Sequence, residues 1–161
     1  MKGKPEVLAE LSKALAEELA AIDQYIVHAE MQENWGYDKL SKFIKMQSIG
    51  EMKHAEKIIE RILFLEGVPH MENRDKIRIG KDVRQQLQND LALELGAVKN
   101  YNEAVEVCRK AGDNATADFM KVLLQDEEQH VDFLETQLGL IEQLGYENYL
   151  VEQMGEHEEG K

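Results

Sequence analysis

Two short motifs in the chain contain the residue types of a metal site. "EMKH" begins at Glu51 and ends at His54, and "EEQH" begins at Glu127 and ends at His130. On a helix, residues three apart share a face, so each motif would present a carboxylate and an imidazole together. These are ligands of divalent iron and manganese. The alternative is an acidic helix that happens to contain a histidine.

An internal repeat connects these motifs to two further glutamates. Glu18 precedes Glu51 by 33 residues, and Glu94 precedes Glu127 by the same distance, so the halves repeat at an offset of 76 residues. Two helices that supply one Glu each, and two that supply Glu-x-x-His, can hold two divalent ions in a bundle. By position, Glu51 and Glu127 would bridge the ions, and Glu18 and Glu94 would each cap one. The predicted ligands and catalytic residues are Glu18, Glu51, His54, Glu94, Glu127 and His130.

The four glutamates interrupt stripes that are otherwise apolar. A buried carboxylate is unfavourable unless it is paired or bound to a metal. One such residue is explained equally well as a polar defect at the bundle edge, but four with a shared spacing favour the metal site. Two divalent ions would nearly neutralise four carboxylates. Six side chains do not saturate two six-coordinate ions, so positions remain for oxygen or peroxide.

Helical periodicity dominates the chain and predicts the elements that position these residues. A long link over residues 67–81 separates two helix pairs, and it is long enough to cross the length of a bundle. The fold class is therefore all-α: a four-helix bundle with one crossover and a short fifth helix, in one domain over residues 1–161 with a disordered tail from about residue 155. The predicted helices run from Pro5 to Asn34, Asp38 to Glu66, a cap at Asp82 to Lys110, Asn114 to Leu144, and Tyr146 to Met154.

Composition excludes several classes of function. The formal net charge of −13 argues against nucleic-acid binding, which needs a basic surface. The single cysteine, Cys108, excludes an intrachain disulfide and a cysteine-based zinc or iron–sulfur site, and is predicted to be a small buried hydrophobe. The absence of a membrane-length apolar run and of a signal-peptide core predicts a cytoplasmic protein with no membrane partner.

The other histidines and two tyrosines have weaker functional signals. His28 is predicted to be an ordinary, partly exposed histidine, with a place along a path to the site as the alternative. His70 and His157 are predicted to be solvated. Tyr25 and Tyr101 follow the same 76-residue offset and are predicted core residues, either of which could donate to a metal-ligand carboxylate. An electron-donor role for Tyr25 is the alternative.

The chain resembles the bacterioferritins, a family within the ferritin-like superfamily, across essentially its whole length. The resemblance is carried by "NWGY", "EMKHAEKIIERILFLEG", "IRIG" and "DEEQHVDFLETQL". It implies a hollow cage of 24 subunits, built from two-fold dimers, that stores ferric mineral. It also implies a ferroxidase centre at the six residues above, in which O₂ or H₂O₂ oxidises Fe²⁺.

The same resemblance implies a b-type haem at the two-fold interface, held by Met52 of each subunit. The haem would carry electrons, from a small iron–sulfur ferredoxin, for iron release. Helix geometry permits this, because Met52 follows Glu51 and points about 100° away from the bundle interior. Lys45 and Ile49 share that outward face. The alternative is that Met52 only packs at a dimer contact.

Some bacterioferritins have a histidine and an aspartate, four residues apart, as an inner iron site. The matching positions here are Met46 and Gly50, so we do not expect that inner site. Four other positions match polar residues that line pores between subunits in some relatives, although each is equally compatible with ordinary surface. These positions are Asn34, Glu66, Asp132 and Thr136.

The sequence predicts an iron-storage ferroxidase and leaves two alternatives. The first is a non-storing di-iron peroxidase or oxygenase on the same bundle. The lack of a Cys-x-x-Cys module argues against a rubrerythrin. The second is a purely structural bundle, for which the 76-residue repeat would be accidental.

Overall fold

The computed structural model describes residues 1–70 and 77–155, and these residues form helices and connecting turns without a strand. The predicted four-helix bundle with a crossover and a short fifth helix is confirmed. The prediction of a disordered tail concerns residues 156–161, which lie outside the described residues. The helices are α1 (Pro5–Asn34), α2 (Asp38–Phe64), α3 (Val83–Lys110), α4 (Asn114–Leu144) and α5 (Tyr146–Gln153).

Side-chain caps fix where α3 and α4 begin. The Asp82 carboxylate accepts a hydrogen bond from the Gln85 backbone N–H at 2.8 Å, and the Gln85 side chain accepts from the Lys81 N–H at 2.7 Å. Asp113 caps α4 by accepting from the Thr116 N–H at 3.0 Å. Because these bonds satisfy N–H groups that have no partner within the helix, they set the start of each helix.

Helix α2 ends at Phe64, two residues before the predicted end at Glu66. Glu66 has a φ of 57°, in the left-handed region, and the Gly67 N–H donates to the Ile62 carbonyl at 2.9 Å. This is a Schellman-type ending. A Cβ at Gly67 would lie 2.6 Å from a methyl carbon of Leu8, so the close approach of α1 requires glycine here.

The helices pack as two pairs around two apolar clusters. Helix α1 lies along α2, α3 lies along α4, α1 also contacts α3, and α5 packs on α4 and α2. One cluster fills one end of the bundle and includes Leu11, Leu15, Ile58, Ile62, Val105, Met120 and Leu123. The other fills the opposite end and includes Tyr25, Leu40, Ile44, Leu87, Leu134 and Ile141. In each of the four long helices, the predicted ligands lie between the residues of the two apolar clusters or at the margin of one of them.

Among the described residues, no helix combines the length and the apolar character needed to cross a membrane.

Cys108 is fully buried in the first apolar cluster, as predicted. Burial raises the pKa of its thiol to about 11, and the carboxylates of Asp113 and Glu10 add to the rise. Only the thiolate is a strong nucleophile, so iodoacetamide should label the native protein at pH 8 at least about 100-fold more slowly than the unfolded chain. Mass spectrometry of timed samples would measure this, and equal labelling of both states would contradict it.

Candidate metal centre

The six predicted ligands meet in one buried layer between the two apolar clusters, and they are called the six-residue cluster below. Their ligand atoms form two overlapping groups, and the atoms within each group lie within 4.8 Å of one another. Glu51 and Glu127 belong to both groups. The first group adds Glu18 and His54, and the second adds Glu94 and His130. This arrangement has the form of two metal positions that share two carboxylates, as the 76-residue repeat predicts.

His54 and His130 face the shared carboxylates in matching ways. His54 Nδ1 lies 3.1 Å from a Glu51 oxygen and 3.2 Å from a Glu127 oxygen. His130 Nδ1 lies 2.8 Å and 3.2 Å from the other oxygens of the same two residues. Each histidine is also 3.5 Å from one lone glutamate, Glu18 for His54 and Glu94 for His130. The two halves of the site are therefore related by a pseudo-two-fold arrangement.

Several buried atoms of the cluster lack a hydrogen-bond partner. Among the described residues these include one oxygen each of Glu51, Glu94 and Glu127, together with His130 Nδ1. His130 Nδ1 is close to Glu51, but the pair lacks hydrogen-bond geometry. Buried polar atoms normally have partners, so a set of converging atoms without them needs a different explanation. Hard oxygen donors with two nitrogens fit divalent iron or manganese, and the residues present are therefore suited to hold two such ions.

The outer two glutamates favour their protonated forms in the absence of metal. Burial raises the pKa of Glu18 well above its usual range, and the adjacent carboxylate of Glu51 adds to the rise. Burial raises the pKa of Glu94 in the same way, with the charge of Glu127 adding to it. Like charges confined in a low-dielectric layer cannot all ionise together.

The histidines and the shared glutamates favour their charged forms. Burial opposes the imidazolium of His130, but contacts with Glu127, Glu51 and Glu94 outweigh burial and raise its pKa to about 12. The pKa of His54 is also raised, for the same reasons. Burial opposes the charge of Glu51 and Glu127 as well. Contacts of Glu51 with Glu18 and both histidines, and of Glu127 with both histidines and Glu94, nevertheless lower their pKa values. In the metal-free protein, protons on the histidines therefore neutralise part of the carboxylate charge that metal ions would otherwise neutralise.

Two tyrosines cross between α1 and α3 to reach the outer glutamates. The Tyr25 hydroxyl donates to Glu94, and the Tyr101 hydroxyl donates to Glu18. Burial raises the pKa of both phenols well above the ordinary value, and the glutamate each contacts adds to the rise. Both side chains are therefore core residues, as predicted, and both also donate a hydrogen bond to a candidate metal ligand. Each bond orients a carboxylate toward the centre of the cluster.

The prediction that His28 is partly exposed is wrong. Its side chain is fully buried, Nδ1 lies 2.9 Å from an Asp90 oxygen, and Nε2 accepts from the Gly80 N–H at 3.0 Å. Gln24 donates to the same Asp90 oxygen at 2.7 Å. His28 thus attaches the end of the crossover to the α1–α3 interface. His70 is exposed, as predicted, whereas His157 lies outside the described residues.

Sequence reasoning also missed a contact outside the cluster. The Asp126 carboxylate lies 3.1 Å from His54 Nε2, the ring nitrogen that faces away from the shared glutamates. Asp126 precedes Glu127 and is 40% exposed, so no apolar stripe marks it. The signal that could have found it is its position directly beside a predicted ligand.

Met52 points away from the cluster, as helix geometry predicts. It is 46% exposed on the single chain, next to Ile49 on the same face of α2. An exposed apolar face on a helix rich in charged residues is typical of an interface. Met46 is also exposed, and so are the four positions matched to pores, Asn34, Glu66, Asp132 and Thr136. Exposure of these positions is compatible with a pore and with ordinary surface.

Fold and cluster together define a class of protein: helix bundles with a buried carboxylate–histidine cluster that could hold metal ions. The model of the ferritin-like domain family matches residues 8–144. A bacterial ferritin of Synechocystis sp. is 48% identical over 155 residues, which cover 96% of this chain and 99% of the relative. A bacterioferritin of Mycolicibacterium paratuberculosis is 43% identical over 149 residues, covering 92% and 94%. The solved structure of a mycobacterial bacterioferritin has a TM-score of 0.94 at 39% identity, covering 96% of each chain. The chain belongs to the bacterioferritin family.

Proposed function

We propose that the protein is an iron-storage ferroxidase whose reaction takes place at the six-residue cluster. The observation that carries the proposal is the pair of overlapping ligand groups, which share Glu51 and Glu127 and contain buried atoms without hydrogen-bond partners. Names of the relatives support storage of iron, since they are bacterioferritins or bacterial ferritins.

In this proposal the six side chains bind and orient two ferrous ions. Glu51 and Glu127 bridge the ions, Glu18 and His54 complete one position, and Glu94 and His130 complete the other. Each Fe²⁺ loses one electron and becomes Fe³⁺. O₂ takes up these two electrons and two protons to form H₂O₂, or H₂O₂ takes them up to form two molecules of water. Helices hold all six side chains between two apolar clusters, so the site is rigid and its interior is largely shielded from water.

The six-residue cluster releases protons when iron binds. The histidines lose their Nδ1 protons, and Glu18 and Glu94 lose theirs where these are still bound, because a metal ligand must be deprotonated. Tyr101 and Tyr25 remain hydrogen-bonded to these two glutamates and keep them aimed at the site. The polypeptide thus controls geometry and charge, and the iron supplies the redox chemistry.

Storage requires an assembly as well as a site. We propose that the single domain, residues 1–161, forms two-fold dimers that assemble into a cage of 24 subunits in the cytoplasm, with Asn34, Glu66, Asp132 and Thr136 along a route for iron. A b-type haem between two Met52 side chains would receive electrons from a small iron–sulfur ferredoxin and assist iron release. The exposed apolar face of α2 supports an interface at this place.

Replacing Met52 by leucine should remove the haem and leave the six-residue cluster intact. Leucine keeps the apolar volume but lacks the thioether sulfur that would ligate the iron. Purified variant should contain less than about one tenth of the haem of the wild type in a pyridine-haemochrome assay, with unchanged Fe²⁺ oxidation. The exposed Met46, replaced by leucine, is the matched control. Full haem content in the Met52→Leu variant would overturn the assignment.

One experiment separates storage from the non-storing di-iron enzyme. Fe²⁺ is added aerobically to the apo-protein, and the iron retained per chain and the particle mass are measured. Storage predicts that iron well beyond two ions per chain stays with a particle of cage size. Two ions per chain on a dimer would instead support the peroxidase or oxygenase. Absence of oxidation would contradict both.

A further inference from the structure

The outer nitrogens of the two histidines have different surroundings. Both rings turn Nδ1 toward the shared glutamates, but only His54 has a carboxylate at Nε2, that of Asp126 at 3.1 Å. All three ion pairs of His130 involve Nδ1. In the part of the chain that the structure describes, no carboxylate pairs with His130 Nε2. The pseudo-two-fold arrangement therefore fails at this point.

The internal repeat explains the difference. Asp126 lies 76 residues after Gly50, so Gly50 occupies the equivalent position beside His130. A Cβ added at Gly50 would meet no atom within 4 Å, apart from those of its own helix turn. The first half of the chain thus lacks the side chain that would accept a proton from His130 Nε2, although it has room for one.

An acceptor at the outer nitrogen changes how a histidine binds metal. When Nε2–H donates to a carboxylate, the tautomer is fixed so that the Nδ1 lone pair faces the metal, and the ring is held in one orientation. The carboxylate also raises the basicity of the ligand, and loss of such a partner typically costs about 10–100-fold in metal affinity. His130 has to bind metal without this support.

We propose that Asp126 is a positioning residue for His54 and makes the two metal positions unequal. Given the dimetal site proposed above, the ion beside Glu18 and His54 binds more tightly than the ion beside Glu94 and His130. Gly50 is the reason that the second position is weaker. The two positions then fill in order, with the His54 position first.

Anaerobic titration of the full-length apo-protein with Co²⁺ tests this inference, because the visible absorption of Co²⁺ reports on each coordination site. Two ions should bind each wild-type chain, the first about 10–100-fold more tightly than the second. A crystal soaked with one equivalent of Co²⁺ should give an anomalous peak beside His54. Asp126→Ala should remove most of the difference in affinity. Asp118→Ala, which removes an exposed charge from the same helix, should leave it unchanged.

A second experiment tests for a gain of metal affinity at the position beside His130. Gly50→Asp should strengthen the weaker position relative to Gly50→Ala, which also adds a Cβ at this position but no acceptor. Equal affinities in the wild type, or identical titrations of Asp126→Ala and Asp118→Ala, would overturn the inference and leave the dimetal site standing. A wild-type chain that binds no Co²⁺ at the cluster would overturn the dimetal site and the inference together.

Discussion

Replacing Glu51 by glutamine should lower the initial rate of Fe²⁺ oxidation by more than about 100-fold. Loss of an outer partner of a metal ligand already costs about 10–100-fold, and Glu51 is a ligand shared by both positions. Glutamine keeps the volume of the side chain but lacks the charge that balances two divalent ions. Absorbance of the ferric product, followed in a stopped-flow instrument, would measure the rate.

Glu56→Gln is the matched control, because Glu56 is exposed on the same helix and should keep the wild-type rate. Glu127→Gln should be as damaging as Glu51→Gln, since both residues belong to both ligand groups. The double variant should lose little more than either single variant, because the residues act as one unit. A Glu51→Gln protein that kept half of the wild-type rate would contradict the bridging role.

Metal binding should release at least about two protons per chain near pH 6 and should become tighter as the pH rises. The pKa of His130 is raised to about 12 and that of His54 is also raised, so both histidines carry a proton that metal must displace. Burial raises the pKa values of Glu18 and Glu94, so any proton that these two ligands hold adds to the release. Each ion then displaces at least one proton, and its apparent affinity should increase by at least about 10-fold per pH unit in this range.

The direction of the pH dependence follows from which state of the protein holds the protons. The metal-free protein binds them and the metal-bound protein does not, so higher pH removes the competitor and favours metal. Anaerobic addition of Zn²⁺ to weakly buffered protein with a pH indicator would count the protons. A Glu51→Gln/Glu127→Gln variant serves as the control for protons released elsewhere. Affinity that is independent of pH between 6 and 8 would show that the cluster holds no displaceable protons.

The six-residue cluster could be predicted from the sequence because a repeat and an apolar stripe mark the same positions. Glu18, Glu51, Glu94 and Glu127 are polar residues at buried helical positions, and they have a common spacing. Helical periodicity puts each of them on the core face of its helix, and the short turns within the two antiparallel helix pairs bring equal spacings to one level. The start of α3 was also predictable, because a cap such as Asp82 has a local signature.

The contacts between helices were not predictable in the same way. The burial of His28 depends on Asp90 and on the Gly80 N–H, which are distant in sequence and belong to no shared stripe. Asp126 meets His54 across the bundle, and only the packing of α2 against α4 brings them together. The end of α2 at Phe64 required Glu66 in the left-handed region, which is uncommon for glutamate.

Anomalous scattering at the iron edge, from crystals soaked anaerobically with enough Fe²⁺ to fill the weaker position, is the sharpest test of the dimetal centre. Two peaks are expected in each chain, both between Glu51 and Glu127, one beside Glu18 and His54 and the other beside Glu94 and His130. A single peak at the cluster, or peaks only elsewhere on the chain, would contradict a dimetal centre built by the 76-residue repeat.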